Sequence, residues 1–382
     1  MNHVPASTLQ DVDFRYNRLF IYSSLQFCGH IEEYFAAHTR FLVVFIVLPR
    51  VKATTNLVRL YQEGRLIKEY QVASSPNFFL FYLLWLINHW LILFRHFSRS
   101  TPFFFLAGHP ICFFGMKLQK ILRPATFAYG IGDYFPSASL IIRAFERLKQ
   151  FYHDRIPITF YLSDAINQQM NGKLLSTRAR RTVMWGMKLA EQERLPPRSR
   201  VVLLFVGVVK NNQGLEMAYS FLATHPNYDL KIIGPCEDSL FAKHTDVILA
   251  HGIRDRVWFP NRSLFGSEFE ELTRDCHIGL ALYDLSPDNF THYADPGKVK
   301  MYLEMGLPVV MTNISCTAQY VQRFGCGEVI RPSHNELAAA LERIERDYHA
   351  YQEGVSKFSR HFFYEDYYTQ AFAIFEKHDH NQ

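Results

Sequence analysis

The sequence predicts an α/β protein with two doubly wound sheets in tandem. Its 382 residues are too many for one hydrophobic core of average size. Strand-like and helix-like segments alternate along the chain, which is the pattern of α/β architecture. Short apolar runs such as Val201–Val206 are typical of parallel strands covered on both faces. Hydrophobic residues make up 48% of the chain and charged residues 20%, a composition that excludes a disordered protein.

The first half predicts a sheet that includes a hairpin. We expect strands at Arg18–Ser23, Phe41–Leu48, Leu57–Gln62, Leu66–Val72, Phe103–Ala107, Ala125–Gly130 and Ile158–Leu162. A glycine turn at 63–65 joins the third and fourth of these strands. Two helices are expected between strands, an apolar one at 78–96 and a charged one at about 139–153.

The second half begins after the polar stretch 191–200 and predicts a parallel sheet. Its expected strands are Val201–Val206, Asp229–Ile233, Arg256–Phe259, Ile278–Tyr283, Val309–Thr312 and Glu328–Ile330. We place the first domain at 1–190, the second at 191–358 and a closing segment at 359–382. Ligands of doubly wound sheets bind beyond the carboxyl ends of the strands, so the expected site is the cleft between the two sheets.

Charge and cysteine content restrict the function classes. The formal net charge of +5 fits an anionic small ligand or membrane surface, and no basic tract suggests nucleic acid. The six cysteines are scattered and form no CxxC pair, which favours a reducing compartment over a disulfide framework or a zinc site. The polar N-terminus lacks the pattern of a signal peptide. We therefore expect a cytoplasmic protein.

The segment 78–94 is apolar except at Asn88 and His89. Membrane spanning needs about 20 apolar residues, and this run is shorter and polar at its centre. A buried helix and a helix lying in a membrane surface both fit, since aromatic residues and flanking Arg95 and Arg99 suit an interface. Peripheral contact with the inner face of the membrane is therefore one interpretation.

The segment 293–310 predicts a short helix with a binding function. Asp295 is a suitable N-cap, Pro296 a suitable first helical residue, and Gly306 a suitable left-handed residue after the helix. Lys298 and Lys300 lie in the first turn, where cations oppose the helix dipole. Two interpretations remain open, a docked phosphate and a pair of solvated lysines.

A second candidate loop follows the strand at 201–206. Gly207 lets a backbone approach a ligand closely, and Lys210, Asn211 and Asn212 offer hydrogen-bond donors. The loop is neither GxGxxG nor a Walker sequence, so dinucleotide and P-loop chemistry are disfavoured. An ordinary strand–helix loop is the alternative.

These segments occur in an order that resembles the donor-binding domain of GT-B glycosyltransferases, especially the large retaining family that uses nucleotide sugars. The resemblance covers about residues 200–335, and the first half matches more loosely at 129–136 and 161–164. It implies two Rossmann-like domains facing across a cleft. It also implies that the aromatic segment 362–375 is a helix that crosses back onto the first domain.

The resemblance implies roles for matching residues of the second domain. The turn Pro296, Gly297 and Lys298 looks like the family's Pro-Ser-Lys turn beside the donor diphosphate, and Gly207 matches the glycine after the domain's first strand. Lys210 or Lys300 would add positive charge.

The sequence also departs from the family pattern. The family's arginine and lysine in the first loop are replaced by Val208 and Gln213, and its second glutamate by Met301. Asp295 and Glu304 lie near the donor but off register, and Glu304 has an alternative partner in Lys300, four residues earlier.

Three residues of the first domain are candidates through their place after strands. His109 matches a family histidine near the sugar, with a structural role as the alternative. Asp133 is a candidate for orienting the acceptor hydroxyl or removing its proton, with a turn aspartate as the alternative. Gly29 suits the family's loop for acceptor or diphosphate, whereas His30 is interpreted as an ordinary loop residue.

The resemblance implies a metal-independent, retaining hexosyltransferase for cell-surface polysaccharide or glycoconjugate synthesis. It would use a nucleotide-diphosphate sugar as co-substrate, bind no cofactor, and glycosylate a glycan or a lipid-linked acceptor. A nucleotide-sugar epimerase and a non-catalytic nucleotide-sugar-binding subunit are the alternatives.

Overall fold

The computed structural model describes residues 14–23, 29–48, 54–137, 139–190, 194–197 and 199–375. These residues form two sheets. The strands of the first sheet are β1 (Tyr16–Ser23), β2 (Thr39–Ile46), β3 (Thr55–Gln62), β4 (Arg65–Ala73), β5 (Phe103–Ala107), β6 (Ala125–Ile131), β7 (Ile158–Tyr161) and β8 (Arg180–Thr182). The strands of the second are β9 (Val201–Val206), β10 (Tyr228–Ile233), β11 (Val257–Trp258), β12 (Ile278–Ala281), β13 (Val309–Thr312) and β14 (Gly327–Ile330).

The helices alternate with these strands. Those of the first half are α1 (Ile31–His38), α2 (Phe78–His96), α3 (Met116–Leu122), α4 (Leu140–His153) and α5 (Asp164–Asn171). Those of the second half are α6 (Leu215–Thr224), α7 (Asp238–Ala250), α8 (Gly266–Thr273), α9 (Gly297–Glu304), α10 (Thr317–Phe324), α11 (His334–Arg346), α12 (Tyr348–His361) and α13 (Tyr364–Ala371).

Both sheets have the order of doubly wound folds. The first runs β4-β3-β2-β1-β5-β6-β7-β8 and the second β11-β10-β9-β12-β13-β14. All strand pairs are parallel except those of β3, which is antiparallel to β2 and β4. In each sheet the order reverses direction at the first strand, β1 or β9, so the carboxyl ends of these strands mark the expected ligand crevice.

The two faces of the first sheet carry different helices. Side chains of α2, α4 and the turn before α3 share a core with Phe20, Phe105 and Phe127. Side chains of α1 and α13 share a core with Leu19 and Phe104, which point to the opposite face. Helices α2, α3 and α4 therefore cover one face of this sheet.

The end of the chain returns to the first domain. Backbone hydrogen bonds join Met187, before the second sheet, to Phe362 and Tyr364 after it. Beyond this point, Phe372 and Phe375 are buried against aromatic rings of the first sheet, with Phe372 5.0 Å from Phe160 and Phe375 5.0 Å from Phe104 between ring centroids. The last helix therefore forms part of the core of the first domain.

Helix α2 has one buried and one exposed face. Phe81, Trp85, Ile92 and Leu93 pack into the sheet, and the polar pair at the centre is buried with them. Asn88 donates a hydrogen bond to the carbonyl of Ala73. Within the described residues, this is the one helix long and apolar enough to cross a membrane, although a third of it is buried in the protein. The helix is thus neither wholly buried nor separate from the domain.

The expected strands agree with the structure to within two residues at each end, and Phe103–Ala107, Val201–Val206 and Val309–Thr312 agree at both ends. The apolar helix coincides with α2, and the charged helix coincides with α4 apart from its first residue. The short polar strand β8 and helix α5 were not predicted. Both have few apolar side chains, and β8 is held at the sheet edge by backbone pairing with β7.

Candidate active site between the two sheets

The loop after β9 is held close to neighbouring strands by glycines. Gly207 has a φ of 126°, and its carbonyl would lie 1.9 Å from a Cβ atom added to Gly234 after β10. A Cβ atom on Gly214, which has a φ of 65°, would lie 2.2 Å from the carbonyl oxygen of Leu282. Side chains at these positions would push the loop away from the strand ends.

Lys298 extends from the first turn of α9 to this loop. Its ammonium donates a hydrogen bond of 2.6 Å to Oε1 of Gln213 and lies 3.9 Å from the ring centre of Phe205. An added Cβ atom on Gly207 would lie 3.6 Å from this ammonium. Among the described residues, no carboxylate forms an ion pair with it. Burial, assisted by the nearby charge of Lys210, lowers the pKa of Lys298 to about 7.

The rest of the loop presents further unneutralised polar groups. Lys210 is exposed, with its ammonium 5.6 Å from the ring centre of Phe290. Asn211 is exposed, and the side-chain oxygen of Asn212 is buried without a hydrogen-bond partner. Lys298 and Lys210 form no ion pair with an acid in the part of the chain that the structure describes, so beside a glycine this cation pair is suited to an anionic ligand.

Lys300 lies elsewhere, on the buried side of α9. Its ammonium donates to the carbonyl of Trp185 at 2.8 Å, lies 3.7 Å from Asp295 and sits 3.5 Å from the ring centre of Phe362. Burial lowers its pKa, and the Asp295 carboxylate opposes that effect. Because its ammonium is bound by these groups, Lys300 has a structural role. It does not lie beside Lys298, so it does not add positive charge to the loop after β9 as predicted.

Asp295 does not cap α9, so that prediction was wrong. The N-cap residue is Pro296, and it makes no side-chain capping bond. The Asp295 carboxylate instead accepts hydrogen bonds from the backbone N–H of Trp185 at 2.8 Å and from the hydroxyl of Thr317 at 2.7 Å. It therefore joins the segment between the domains to the second sheet. The predicted left-handed conformation of Gly306 is confirmed by its φ of 76°.

Glu304 links the two domains rather than pairing with Lys300, which corrects that alternative. Its Oε1 atom lies 2.7 Å from Nε2 of His30 and accepts a 2.7 Å hydrogen bond from the backbone N–H of Lys188. Burial alone would lower the pKa of His30, but the carboxylates of Glu304 and Glu33 raise it to about 9. The prediction that His30 is an ordinary loop residue was therefore wrong.

Gly29 is packed under the same interdomain contact. Its φ is 75°, and an added Cβ atom would lie 2.3 Å from the Trp185 ring. Its carbonyl accepts a hydrogen bond from the hydroxyl of Tyr368. The positive φ and the close Trp185 ring therefore account for a glycine at this position without a ligand. The preceding residues 24–28 of this loop, with the cysteine predicted among the scattered thiols, lie outside the described residues.

Asp133 follows β6 and is exposed to the solvent of the cleft. The surrounding protein desolvates its carboxylate and raises its pKa, while Lys149 acts in the opposite direction. The ammonium of Lys149 is buried and donates to the carbonyl of Asp133 at 2.6 Å and to Glu146 at 2.8 Å. The buried cation thereby fixes the backbone that carries Asp133.

His109 follows β5 and is held by aromatic rings. Its centroid is 4.4 Å from that of Trp85 and 5.1 Å from that of Phe145. Its Nδ1 accepts a hydrogen bond from the backbone N–H of Ile111, which requires the tautomer with its proton on Nε2. Burial, with a smaller effect of Lys149, lowers its pKa to about 3. His109 is thus a neutral imidazole and a poor base.

Aromatic contacts connect the two halves of the candidate site. Phe135, two residues after Asp133, lies 5.7 Å from Phe290, whose ring also faces Lys210. Tyr134 lies 4.7 Å from Tyr293, and the hydroxyl of Ser163 donates to the Tyr293 carbonyl at 2.5 Å. The segment 290–293 therefore bridges the loop of Asp133 and the cation pair.

Sequence reasoning missed several of these residues. Gln213 was noted only as a departure from the family, yet it holds the ammonium of Lys298. Tyr283, whose ring centre lies 5.1 Å from that ammonium, was predicted only as the end of a strand. The buried Lys149 was read as part of a charged helix. Its position three residues after Glu146 was the one available signal.

The described residues hold no cluster of three or more His, Cys, Asp or Glu side chains suited to a metal ion. Their five cysteines, at 112, 236, 276, 316 and 326, have free thiols.

Comparisons with known proteins agree with this architecture. Residues 243–374 match the family model described as Glucosyltransferase 3-like, C-terminal domain. No curated protein sequence matches the chain significantly. Sucrose-phosphate synthase from Thermosynechococcus elongatus has a similar structure, with a TM-score of 0.68, 12% identity, and coverage of 96% of this chain and 100% of that one.

Two further structures are similar. Anabaena HepE in complex with UDP gives a TM-score of 0.62 at 12% identity, covering 95% of this chain and 99% of that one. The pneumococcal O-GlcNAc transferase GtfA, in complex with UDP and GlcNAc, gives 0.56 at 13% identity, covering 84% and 67%. This chain therefore has the GT-B fold of glycosyltransferases, and its second half matches the C-terminal domain of the Glucosyltransferase 3-like family.

Proposed function

We propose that this protein is a glycosyltransferase that moves a hexose from a UDP-sugar to a glycan or lipid-linked acceptor. The observation that carries the proposal is the cation pair of Lys298 and Lys210 beside Gly207. Two basic side chains that pair with no acid among the described residues, at the carboxyl end of the switch-point strand, suit a diphosphate. UDP and GlcNAc bound to similar structures support this choice of ligand.

The second domain holds the donor in this proposal. Lys298 contacts the diphosphate, assisted by Lys210, by Asn211 and by the backbone N–H groups of Gly297 and Lys298, which follow Pro296 at the start of α9. As the glycosidic bond breaks, these groups stabilise the negative charge that develops on the UDP leaving group. Fixed cations thereby do what a metal ion does elsewhere, so we propose a metal-independent reaction. We also propose that the anomeric configuration is retained, which rests only on the resemblance to the retaining family.

The first domain holds the acceptor. Asp133 orients the acceptor hydroxyl and takes its proton, for which a raised pKa brings the carboxylate closer to neutral pH. His109 serves as a neutral hydrogen-bond donor through Nε2, because its pKa of about 3 makes it a poor base. Asp295 and Glu304 hold the two domains together, since their contacts join segments of both, and Gly29 packs on the first-domain side of these contacts against Trp185 and Tyr368.

UDP-glucose is the first donor to test, because the matched family is described as glucosyltransferase-like. We place the reaction in the cytoplasm, where the scattered cysteines of the sequence stay reduced. The products are then a glycosylated acceptor and UDP.

The test measures UDP affinity by calorimetry and sugar transfer from UDP-glucose, UDP-galactose and UDP-GlcNAc to a panel of glycan and lipid-linked acceptors. We expect Lys298→Ala to weaken UDP binding about 10- to 100-fold, the scale of a charge-assisted contact. Lys243→Ala, an exposed lysine on α7 of the same domain, is the matched control and should bind UDP normally. Unchanged UDP affinity of Lys298→Ala, or sugar epimerisation without an acceptor, would contradict the proposal.

A further inference from the structure

The outward side of α2 consists of apolar side chains as far as its last turn, where Arg95 is exposed. Phe79, Leu83, Ile87, Leu91 and Phe94 recur at helical spacing and are exposed, with Phe79 82% accessible. A surface helix normally turns polar side chains to water. Its inward face is already packed in the domain core, so the outward apolar side chains do not contribute to the core of this domain.

Helix α4 has its amphipathic pattern reversed with respect to the core. Leu140, Ile141, Leu148 and Phe151 are exposed, the first two by more than 70%, whereas Lys149 is buried. A helix that only covers a sheet would bury the apolar stripe and expose the lysine. The apolar side of α4 therefore has a use outside the domain.

Helix α3 joins these two helices into one surface. Gln119 of α3 lies 3.1 Å from His89 of α2, and Arg123 after α3 stacks on Phe94 of α2. Leu118 and Ile121 of α3 are exposed, the latter by 80%. Since α2, α3 and α4 cover the same face of the first sheet, we call their exposed apolar side chains the outer face.

The charges of the outer face have one sign. The structure describes every residue of these three helices, and all their exposed charged side chains are cationic: Arg95, Lys117, Lys120, Arg143 and Arg147. The single acidic residue, Glu146, is partly buried and paired with Lys149. A large apolar surface rimmed by cations complements an anionic, apolar-centred partner.

The outer face also adjoins the candidate active site. Helices α3 and α4 follow parallel strands, so their N-terminal ends lie at the carboxyl edge of the first sheet. Tyr82 in the first turns of α2 stacks on His109 at 5.9 Å between ring centroids. A partner on the outer face would therefore lie next to the acceptor side of the cleft.

We propose that the outer face docks on an anionic phospholipid bilayer. The apolar side chains of α2, α3 and α4 enter the boundary between headgroups and acyl chains, while the arginines and lysines contact lipid phosphates. The three helices cover the same face of the first sheet, and the cations around their exposed apolar side chains match the charge of the membrane. The enzyme then binds its acceptor at the membrane surface.

A second copy of this chain fits the outer face less well. A symmetric dimer brings the same surface of both copies together, so the five cationic side chains of each would face those of the other. With no exposed acid on these three described helices, such a contact has no opposite charge to offset the repulsion.

The test is sedimentation of the full-length protein with vesicles, in the absence of any sugar donor. We expect binding to vesicles of phosphatidylcholine and phosphatidylglycerol, weaker binding to phosphatidylcholine alone, and weakening by salt. Leu83→Glu and Leu91→Glu should each weaken binding at least about tenfold, because they place a carboxylate in the docking surface. Since both side chains are more than half exposed, the variants should keep the fold, which circular dichroism checks.

Leu249→Glu is the matched control, because this leucine of α7 in the second domain is 56% exposed, close to the 54% of Leu83. It should bind vesicles as the unchanged protein does. Failure of the unchanged protein to bind anionic vesicles would overturn the proposal. So would a self-associating protein that Leu83→Glu converts to a monomer, which would identify the outer face as a contact between copies.

Discussion

The position of Lys298 makes its charge sensitive to pH. Burial and the neighbouring Lys210 both disfavour the ammonium form, which brings its pKa down to about 7. The Gln213 amide and the Phe205 and Tyr283 rings face the ammonium, and no described carboxylate forms an ion pair with it. A diphosphate would supply the missing negative charge, so ligand binding and proton uptake by this lysine should be coupled.

We expect UDP affinity to fall up to about tenfold between pH 6 and pH 8, since protonated Lys298 binds better and its fraction falls through the pKa of about 7. Calorimetry in buffers of different ionisation heat should detect proton uptake on binding. Lys298→Arg, whose guanidinium stays charged, should remove most of the pH dependence. An equally steep dependence in Lys298→Arg would assign the effect to another group.

The chemistry of single residues was predictable where the partner is local and not where it is distant. Gly306 follows its helix in the predicted left-handed conformation, because that requirement belongs to the helix end itself. Asp295 had the sequence context of an N-cap, yet its partners are Trp185 and Thr317, 110 and 22 residues away. Glu304 meets His30 across 274 residues, which no spacing rule detects.

At the scale of the elements, the loop after β9 ends at Gly214, a position where both the backbone conformation and the lack of space require glycine. Gly214 has a φ of 65° at the start of α6, and it also faces the carbonyl of Leu282. Gly172 after α5 has a similar φ of 69° but nothing within 4 Å of an added Cβ atom. The two positions therefore separate conformational strain from steric exclusion.

We expect Gly172→Ala to lower the free energy of unfolding by about 1 kcal/mol, the cost of a left-handed alanine. Gly214→Ala should cost at least about 2 kcal/mol more, since its Cβ atom would lie 2.2 Å from a backbone oxygen. It should also weaken UDP binding by moving Gln213. Urea unfolding with calorimetry measures both effects, and equal destabilisation by the two variants would contradict this account.

Elements were predictable where burial and local pattern agree. Buried runs such as β5 and β9 were assigned with their observed ends because every residue in them is apolar or nearly so. Helix α4 was assigned correctly as an element. Its orientation was not accessible, because periodicity shows that a stripe exists but not which side meets the core. In the structure the apolar stripe of α4 faces outward, and Lys149 occupies the buried side of the helix, where its ammonium donates to the Asp133 carbonyl.

At the scale of the whole molecule, His30 and Glu304 connect the start of α1 to the end of α9. The folded-state pKa of His30, about 9, exceeds its ordinary value of 6.5. The resulting stabilisation is fully present below pH 6.5 and is lost as the pH rises through 9. Because His30 is largely shielded from solvent while Glu33 is half exposed, we assign it on the order of 2 kcal/mol.

We expect the free energy of unfolding to decline by about that amount between pH 6.5 and pH 9.5, measured by urea denaturation. Glu304→Gln should be less stable at pH 6.5 and should show a smaller decline. His38→Gln, which removes a histidine paired with Glu365 of α13, is the matched control and should keep the decline. A pH profile of Glu304→Gln parallel to that of the unchanged protein would contradict the assignment.

The last helix makes the two domains depend on each other. Phe372 is 2% exposed and packs on Phe35 and Phe160 of the first domain, although it follows the second domain in the chain.

We expect Phe372→Ala to lower the free energy of unfolding by about 3–5 kcal/mol, the scale of a deleted buried aromatic ring. Phe265→Ala, at a residue 68% exposed, should change it by less than about 0.5 kcal/mol. In calorimetry, a single transition should move to lower temperature, because contacts at Asp295 and Glu304 tie both sheets together. A second transition that stays at its original temperature would show that the domains unfold independently.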